Sequence, residues 1–569
     1  MTGPVAPLAI PTTLHASLLA RLDRLAPTRE VAQIGAALGR SFSHELISAV
    51  AAVPPSQLDD TLAQLVRAEL IFRRGTPPDA EYTFKHALVQ DAAYSTLLRG
   101  RRKQIHARIA TILEGNFPEI VDAQPELVGQ HCSEGGFADK AISYWTLAGE
   151  RAAKRGANTE AIRHFRRALR ALEKRPETAE RSKAELKVLD KLGPALATVE
   201  GWAAPQAETV YQRARQLARN LGSPADAVPA LIGLWLYHYQ RGEPNATHQA
   251  TQELFEIGHS TGDHDLLLQA HHSAWPTSAY DGDFTTAIHH IELGLALYDE
   301  RAHSHHAIVY IGHDPAVCAH TVGAVVTCIL GYPEQAESHA RAGIGLARRL
   351  GHAPTLAHAL WFTAKLHIVQ NKIDEVCAVT TELLALCEEQ HLVPPAMAGT
   401  IFQGWSKVRA GQVDDGLRQL RKGLEAMKRG GNRVYLAHRI SLLAEACALA
   451  GNWDEASASC EEAINTVHET GDEWFLAKIL SQRSELLLNG PRVSEEQAEM
   501  YLKGALDVAR RQRARWYELR ASCDLARLWR NQGKPTQGRN LLAPIYGWFT
   551  EGFDTPLLKE AKALLDQLA

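Results

Sequence analysis

Four short stretches decide the fold: GYPEQA at residues 331–336, NKIDEV at 371–376, GQVDDG at 411–416 and GNWDEA at 451–456. Each begins 40 residues after the one before it, at 331, 371, 411 and 451. Each starts with glycine or asparagine, which suit the left-handed turn that ends a helix, and most continue with acidic residues typical of a first helical turn. The period predicts stacked helix pairs in which each pair contacts mainly its neighbours.

The same turn recurs elsewhere in the chain, and the helices between the turns carry small residues at regular positions. The further turns begin at Gly156, Gly242, Gly282 and Gly533. The small residues form the pairs Ala161 and Ala168, Ala336 and Gly343, Gly416 and Gly423, and Ala456 and Ala463. A larger side chain at these positions would push two crossing helices apart. We therefore predict an all-α superhelix with a concave face, and no β structure beyond about residue 120.

One unit carries a more specific pattern. Trp145, Gly149, Ala161, Phe165 and Ala168 stand at the relative offsets of the tetratricopeptide pattern. This part of the chain therefore resembles tetratricopeptide repeats, although the 40-residue period of the later units exceeds the usual 34. The resemblance implies that these five residues pack two helices of one repeat together.

The composition gives no bulk electrostatic attraction to nucleic acid or to an anionic membrane. The chain has 569 residues, of which 45% are hydrophobic and 22% charged, and its formal net charge is −4. Its eight cysteines form no CxxC pair, which is typical of a reducing compartment. The N-terminus lacks a basic segment followed by an apolar core, and the longest apolar stretch, near 322–330, is too short for a bilayer. We expect a cytoplasmic protein without a membrane partner.

The N-terminal hundred residues do not follow the repeat. Short helices are predicted over Leu14–Leu25, Glu30–Leu38, Ser43–Val50, Ser56–Glu69 and Ala87–Leu98, with Ser56 as the cap of the fourth. Two β-prone runs, LIFRRG and AEYTFKH, flank a turn at 76–79 and predict a hairpin. Helices followed by a hairpin suggest a winged-helix-like domain over residues 12–115, with the repeat superhelix over 116–569.

Several longer sequence segments together resemble one protein family. They are IPTTLHASLLARLDRLAP at 10–27, EVAQIGAALGRSFS at 30–43, YTFKHALVQDAAYSTLL at 82–98 and LLAPIYGWFTEGFDTPLLKEAKALLDQL at 541–568. They resemble the C-terminal part of multidomain bacterial class III adenylate/guanylate cyclases, which join a cyclase domain, an AAA-like signal-transduction NTPase and a tetratricopeptide arm. Residues 1–11 would then be a truncated linker from the missing catalytic parts.

The chain departs from that family where the chemistry would lie. No GxxxxGK[ST] phosphate loop occurs, since Gly533-Lys534 is followed by proline. We therefore expect no enzyme activity, no catalytic residue and no cofactor. The expected function is that of a regulatory arm that binds a protein, peptide or small effector on its concave face. The expected protein partner is a cyclase or NTPase chain or another signalling protein.

His86 is the sharpest single candidate for ligand contact. In signal-transduction NTPases a histidine shortly after the wing contacts the phosphate of the bound nucleotide, and Phe84-Lys85-His86-Ala87-Leu88 resembles that motif with Ala87 in place of aspartate. The resemblance implies that His86 contacts nucleotide only if a partner NTPase is present. The alternative is that His86 caps or packs against the following helix.

Histidine clusters and basic runs allow two further hypotheses. His303, His305, His306, His313, Cys318 and His320 could suggest zinc, but their spacing matches no known finger, and we expect a polar loop between repeats and no metal. His271-His272 and His289-His290 are interpreted as surface or groove residues. Basic runs at 99–103, 163–170 and 510–515 could suggest a DNA-binding regulator that uses the winged helix. Because solvated helix faces carry such charges routinely, nucleic acid is not the expected partner.

Overall fold

The computed structural model describes residues 28–310 and 312–568. These residues form two compact units that divide between Val188 and Leu189. The predicted helix over Leu14–Leu25 lies outside the described residues. The first helix pairs after residue 120 belong to the same compact unit as the N-terminal domain, and the expected boundary at residue 116 stays a prediction.

The first unit begins with a small sheet and its helices. Its elements are α1 (Arg29–Leu38), β1 (Ser41–Ser43), α2 (His44–Val50), α3 (Pro55–Arg67), β2 (Ile71–Arg74) and β3 (Glu81–Phe84). The three strands are antiparallel in the order β1-β3-β2, with Phe42 opposite Tyr82 and Ile71 opposite Phe84. All four of these side chains are buried. The predicted hairpin is therefore confirmed as β2 and β3.

The ends of these helices differ in part from the prediction. Ser56 is not a cap, because α3 begins one residue earlier at Pro55, where proline fits a first turn that needs no N–H donor. Ser43 is the cap of α2: its Oγ accepts a hydrogen bond of 3.1 Å from the Leu46 N–H. The helix predicted to reach Leu98 ends at Ser95.

The rest of the first unit is helical. Its helices are α4 (Ala87–Ser95), α5 (Arg99–Asn116), α6 (Pro118–Ala123), α7 (Pro125–Gly135), α8 (Ala138–Lys154) and α9 (Asn158–Leu172), and α10 (Ala179–Glu200) contains the division between the units. The five tetratricopeptide-pattern residues lie where α8 crosses α9. A Cβ on Gly149 would come within 2.4 Å of the Phe165 ring, and Ala161 and Ala168 are fully buried. Only a glycine at 149 lets these two helices pack at this distance.

The second unit is an array of helix pairs. Its helices are α11 (Pro205–Asn220), α12 (Val228–Arg241), α13 (Pro244–Thr261), α14 (His264–Tyr280), α15 (Phe284–Leu297), α16 (Glu300–His303), α17 (His306–Val309), α18 (Pro315–Leu330), α19 (Pro333–Leu350), α20 (Ala353–Val369), α21 (Ile373–Gln390), α22 (Val393–Arg409), α23 (Val413–Arg429), α24 (Leu436–Leu449), α25 (Trp453–Thr470), α26 (Leu476–Asn489), α27 (Glu495–Arg511), α28 (Arg515–Asn531), α29 (Pro535–Tyr546) and α30 (Pro556–Gln567). Within the described residues beyond 120 there is no strand, as predicted.

The turns lie where the repeat predicts them. Four turn residues adopt positive φ: 108° at Gly331, 59° at Asn371, 88° at Gly411 and 78° at Gly451. Each follows the last residue of the preceding helix by one or two positions. The left-handed conformation is accessible to glycine and asparagine at low cost, so the sequence marks the turn locally.

The second unit also winds back onto itself. The Tyr239 and Tyr435 hydroxyls lie 2.5 Å apart although the residues are separated by 196 positions, about five 40-residue units. The Tyr280 hydroxyl donates to the Thr470 carbonyl at 3.1 Å, and the Trp516 indole donates to the Val369 carbonyl at 3.2 Å. Helix pairs far apart in sequence are thus brought into contact, which buries much of the inner wall of the superhelix.

Candidate interaction groove

Helices of the second unit are of two kinds. In the inner helix α20 almost every residue from Thr355 to Ile368 is buried, whereas the outer helix α23 buries one face only. Inner helices therefore contact neighbours on several sides, and outer helices keep a solvated face. The inner helices α20, α22, α24, α26 and α28 supply the side chains of the concave wall.

A buried lysine fills part of that wall. The Lys365 Nζ lies 3.3 Å from the ring centroid of Tyr435, 4.2 Å from Phe362, 4.9 Å from Trp474 and 5.5 Å from Trp361, and we name these five residues the Lys365 cage. Lys365 is fully buried, and its Nζ makes no hydrogen bond within the described structure.

The protonation of Lys365 follows from two opposing effects. Burial, and secondarily the nearby Arg439, lower the pKa of Lys365 well below its usual value, while Asp472 acts in the opposite direction. Cation–π attraction contributes about 2 kcal/mol when the cation is desolvated, but desolvation of the ammonium costs several kcal/mol. Because the second effect is larger, burial favours the neutral amine over the ammonium, and the Lys365 side chain packs among the rings.

Beyond the cage, the inner helices line an open groove of 710 Å³. We name it the interior groove, and its walls include Trp405 of α22, Glu445 of α24, Lys478 and Glu485 of α26, and Tyr517 and Arg520 of α28. Tyr435 and Trp474 of the cage just precede α24 and α26, so the same two helices adjoin both the cage and the groove.

Charged side chains of both signs cross the groove wall between repeats. Arg409 Nη1 lies 3.3 Å from Glu445, and Lys478 Nζ lies 3.9 Å from the other oxygen of Glu445. On the opposite side Arg520 lies 3.0 Å from Glu560. These side chains are between a fifth and a third exposed, so water weakens but does not abolish the pairs.

Two groups in the groove have shifted acidity without a strong partner. Burial is the main reason that the pKa of Lys478 is lowered, and Glu445 only partly offsets it. Enclosure by the walls, with the nearby carboxylates of Asp524 and Glu445, raises the pKa of Glu485 although its side chain remains open to the groove. A ligand that brings opposite charges to these two groups would relieve both penalties.

Several polar atoms of the wall are buried without a hydrogen-bond partner among the described residues. They are Lys478 Nζ, Trp405 Nε1, Gln482 Oε1, Ser484 Oγ and Tyr517 Oη. Most buried polar groups in folded proteins are hydrogen-bonded, and each orphan costs about 1–3 kcal/mol. All five atoms lie in the walls of one groove but are shielded from solvent, so a bound molecule reaches them only when the side chains that cover them shift.

A second hollow, of 810 Å³, lies between Arg241 and the segments around 428–433 and 458–469. Its charges are already paired: Lys428 contacts Glu462 at 2.5 Å, and Arg433 contacts Glu469. None of the orphan atoms lies there. We therefore place the candidate site in the interior groove.

The structure does not bring His86 into the groove. His86 precedes α4 in the first unit, its backbone is extended, and its exposed side chain makes no capping hydrogen bond. His86 nevertheless occupies the N-cap position of α4, and its carbonyl accepts a hydrogen bond from the Val89 N–H, so the backbone caps the helix and the imidazole does not. The contact with a nucleotide phosphate stays a prediction.

Two interpretations of the histidines are also wrong. His272 is 2% exposed, not a surface or groove residue, and His303 and His306 are buried, not part of a polar loop. The cause is that the segment before α18 packs onto α14: His306 Nδ1 lies 2.9 Å from Gln269 Nε2, and His303 lies 2.9 Å from Asp265. The sequence showed the cluster but not the helix that covers it.

The basic runs lie on solvated surface, as expected. Arg163, Arg166 and Arg170 are exposed on α9, and the Arg167 guanidinium lies 4.5 Å from the centre of the Trp145 ring. No described helix is both long and apolar enough to cross a membrane.

Comparisons with known proteins complete the description. No family model matches the chain. An uncharacterized protein of Rhizobium meliloti (strain 1021) is 24% identical over 504 residues, which cover 87% of this chain and 48% of that protein. The chain thus spans about half the length of the curated relative it matches.

Three solved structures resemble the chain at low sequence identity. A Rap protein complexed with competence and sporulation factor has a TM-score of 0.44 at 11% identity, over 65% of this chain and 98% of that one. A STAND protein with a tetratricopeptide repeat sensor from Pyrococcus horikoshii has a TM-score of 0.30 at 13% identity, over 99% and 68%. Yeast Tom70 has a TM-score of 0.32 at 12% identity, over 83% and 97%.

Proposed function

We propose that this chain is a non-catalytic regulatory and interaction arm whose interior groove binds a short polypeptide segment of mixed charge. The observation that carries the proposal is the set of five buried polar atoms without partners around one 710 Å³ groove. That volume lies within the range of about 300–1,000 Å³ usual for ligand sites.

The chemistry of the wall favours a polypeptide. Tyr517, Ser484 and Lys478 supply donors for backbone carbonyls, and Gln482 supplies an acceptor for a backbone N–H, once the side chains that cover these buried atoms shift. Glu485 is exposed and favours a basic side chain nearby. Trp453 lines the groove and is half-buried, so part of its ring provides flat apolar surface for ligand side chains. A small polar effector with the same donors and acceptors would use the same contacts.

The arm belongs, in this proposal, to a cyclase-type or NTPase-type signalling system. The supporting observations are the sequence segments shared with that family and the order helix, strand, helix, helix, strand, strand of the first unit, which is that of a winged helix. A partner NTPase would dock on residues 12–115 and place His86 near its nucleotide. Purified chain incubated with ATP and Mg²⁺ should form no cyclic nucleotide above the blank, and formation above the blank would overturn the non-catalytic assignment.

The binding proposal is tested by selection from a random peptide library displayed on phage. Peptides retained by the full chain are synthesised, and their Kd is measured by calorimetry with wild-type chain and with Lys478→Gln. Loss of a hydrogen bond to a charged group costs about 1.5–3 kcal/mol, so the variant should bind at least about tenfold more weakly.

Lys503→Gln is the matched control, since Lys503 lies on the outer helix α27 and is 59% exposed. It should leave Kd unchanged. A selection that enriches no peptide, or peptides whose affinity is equal for wild type and Lys478→Gln, would contradict the proposal.

A further inference from the structure

Three potential metal ligands converge near the start of α18. The ligand atoms of His272, His313 and Cys318 all lie within 4.8 Å of one another. His272 is on α14, Cys318 is on α18, and His313 is in the segment that leads into α18. His272 and Cys318 are buried, and His313 is half-buried. His358 of α20 contacts both His313 of the cluster and Phe362 of the Lys365 cage, and the cluster shares no residue with the interior groove.

Hydrogen bonds orient the first histidine toward the cluster. Gln269 Nε2 is a donor and lies 2.9 Å from His306 Nδ1, so the Gln269 Oε1 faces His272 as an acceptor. His272 Nδ1 lies 3.4 Å from that oxygen and therefore carries the proton. The lone pair of His272 is then on Nε2, which points at His313. A metal-binding histidine is usually held in this way, by donation from its other nitrogen.

The spacing of the two imidazoles matches a tetrahedral metal. His272 Nε2 and His313 Nε2 lie 3.3 Å apart. Two Zn–N bonds of about 2.0–2.1 Å at a tetrahedral angle separate their nitrogen atoms by about 3.3–3.4 Å. Without an ion the same two nitrogen atoms are within hydrogen-bond distance, and a bound zinc would replace that contact.

The third group is also prepared for a metal. The Trp275 indole donates a hydrogen bond of 3.4 Å to Cys318 Sγ, and such N–H donors stabilise a thiolate. The His358 ring stacks on His313 with centroids 4.0 Å apart and an interplanar angle of 11°, which fixes the plane of the His313 ring.

We propose that His272 Nε2, His313 Nε2 and Cys318 Sγ bind one Zn²⁺, with a fourth position open toward the half-buried side of His313 for water or an exchangeable ligand. On binding, Cys318 releases its thiol proton to solvent, and the proton of His313 moves from Nε2 to Nδ1. No redox step occurs, and the occupied site, with Zn²⁺ and one thiolate, carries a net charge of about +1. The ion would join α14 to α18 across the segment between them.

The experiment uses the full chain stripped with chelator and titrated with Zn²⁺ and, separately, with Co²⁺. Wild type should bind one equivalent tightly, and the cobalt form should show the intense visible bands of tetrahedral Co²⁺ together with a thiolate-to-cobalt charge-transfer band. Cys318→Ser should lose the charge-transfer band and weaken Zn²⁺ binding by about 100-fold or more. Loss of a residue that only supports a zinc ligand already weakens binding by about 10–100-fold, and loss of the ligand itself should cost at least as much.

Cys328→Ser is the matched control, because Cys328 is a buried cysteine on the same helix without histidine neighbours in the cluster. It should bind like wild type, which separates the site from weak binding by the other histidines among the 26 of the chain. Wild-type chain that binds no stoichiometric Zn²⁺, or a charge-transfer band that persists in Cys318→Ser, would overturn the proposal. The cobalt spectrum of wild type decides the matter even if a variant fails to fold.

Discussion

A close helix crossing in the array makes a quantitative prediction possible. Gly416 of α23 packs against α22, and a Cβ at this position would lie 2.5 Å from the Gly404 carbonyl oxygen and 2.8 Å from the Val408 backbone nitrogen. These are backbone atoms, so no side-chain rotation relieves the overlap. Gly416→Ala therefore forces the two helices apart.

The magnitude follows from two opposing contributions. Overpacking costs typically 1–3 kcal/mol, and alanine gains about 1 kcal/mol over glycine in a helix interior. Because the overlap involves backbone on both sides, we expect the upper part of the first range and a net loss of about 1–2 kcal/mol. The assay is the urea midpoint of the full chain, followed by circular dichroism at 222 nm.

Gly504→Ala provides the control. Gly504 lies inside α27, and the nearest heavy atom to its added Cβ is 3.8 Å away, an ordinary contact. Only the gain in helix propensity remains, so this variant should be more stable than wild type by about 0.5–1 kcal/mol. A Gly416→Ala chain as stable as Gly504→Ala would refute the inferred packing of α22 on α23.

Three further predictions concern single side chains. Lys365→Met should raise the urea midpoint at pH 7, because methionine fills the Lys365 cage without an orphaned polar atom; a lowered midpoint would show that the cage holds a cation. Burial alone would raise the pKa of Glu337, but hydrogen bonds from His367 and Lys372 outweigh it and bring the pKa to about 2. Glu337→Gln should therefore destabilise the chain at pH 7. The stabilisation by ionised Glu337 is lost as pH falls from the pKa of the unfolded chain, near 4.5, toward about 2, so the urea midpoints of variant and wild type should converge in that range. A difference in midpoint that does not change with pH would contradict this role of Glu337. His86→Ala should leave the urea midpoint unchanged, since the side chain is exposed. It should nevertheless weaken ADP binding by a reconstituted NTPase partner about tenfold. Equal ADP affinity with wild-type and variant chain would contradict a contact between His86 and the nucleotide phosphate.

Local signals in the sequence were sufficient for the architecture. Gly411 and Asn371 mark turns because the ability to adopt a left-handed backbone belongs to the residue itself. Gly416 marks a close helix crossing because the absence of a side chain also belongs to the residue itself. The strand β1 was not predicted: three residues carry no periodicity, and only pairing with β3 stabilises it. Ser56 misled because a proline directly before it takes the first helical position.

The candidate sites depend on contacts between distant residues. Lys365, Tyr435 and Trp474 meet because the superhelix brings α20, α24 and α26 together, and nothing near any one of them in sequence indicates the other two. His313 and Cys318 were noticed as neighbours, whereas His272, 41 positions before His313, was interpreted as a surface residue. Lys478 and Glu485 look like ordinary solvated charges on α26 until the walls of the groove are assembled around them.

Occupation of the interior groove by ligand is tested most directly by photo-cross-linking. A peptide obtained by selection carries a benzophenone side chain at its centre, and mass spectrometry identifies the residues to which it becomes attached. The account predicts attachment within the inner segments 436–449, 476–489 and 515–531, and competition by unlabelled peptide. Attachment confined to residues 454–470 and 496–511 of the outer helices, or to residues 28–188, would contradict it.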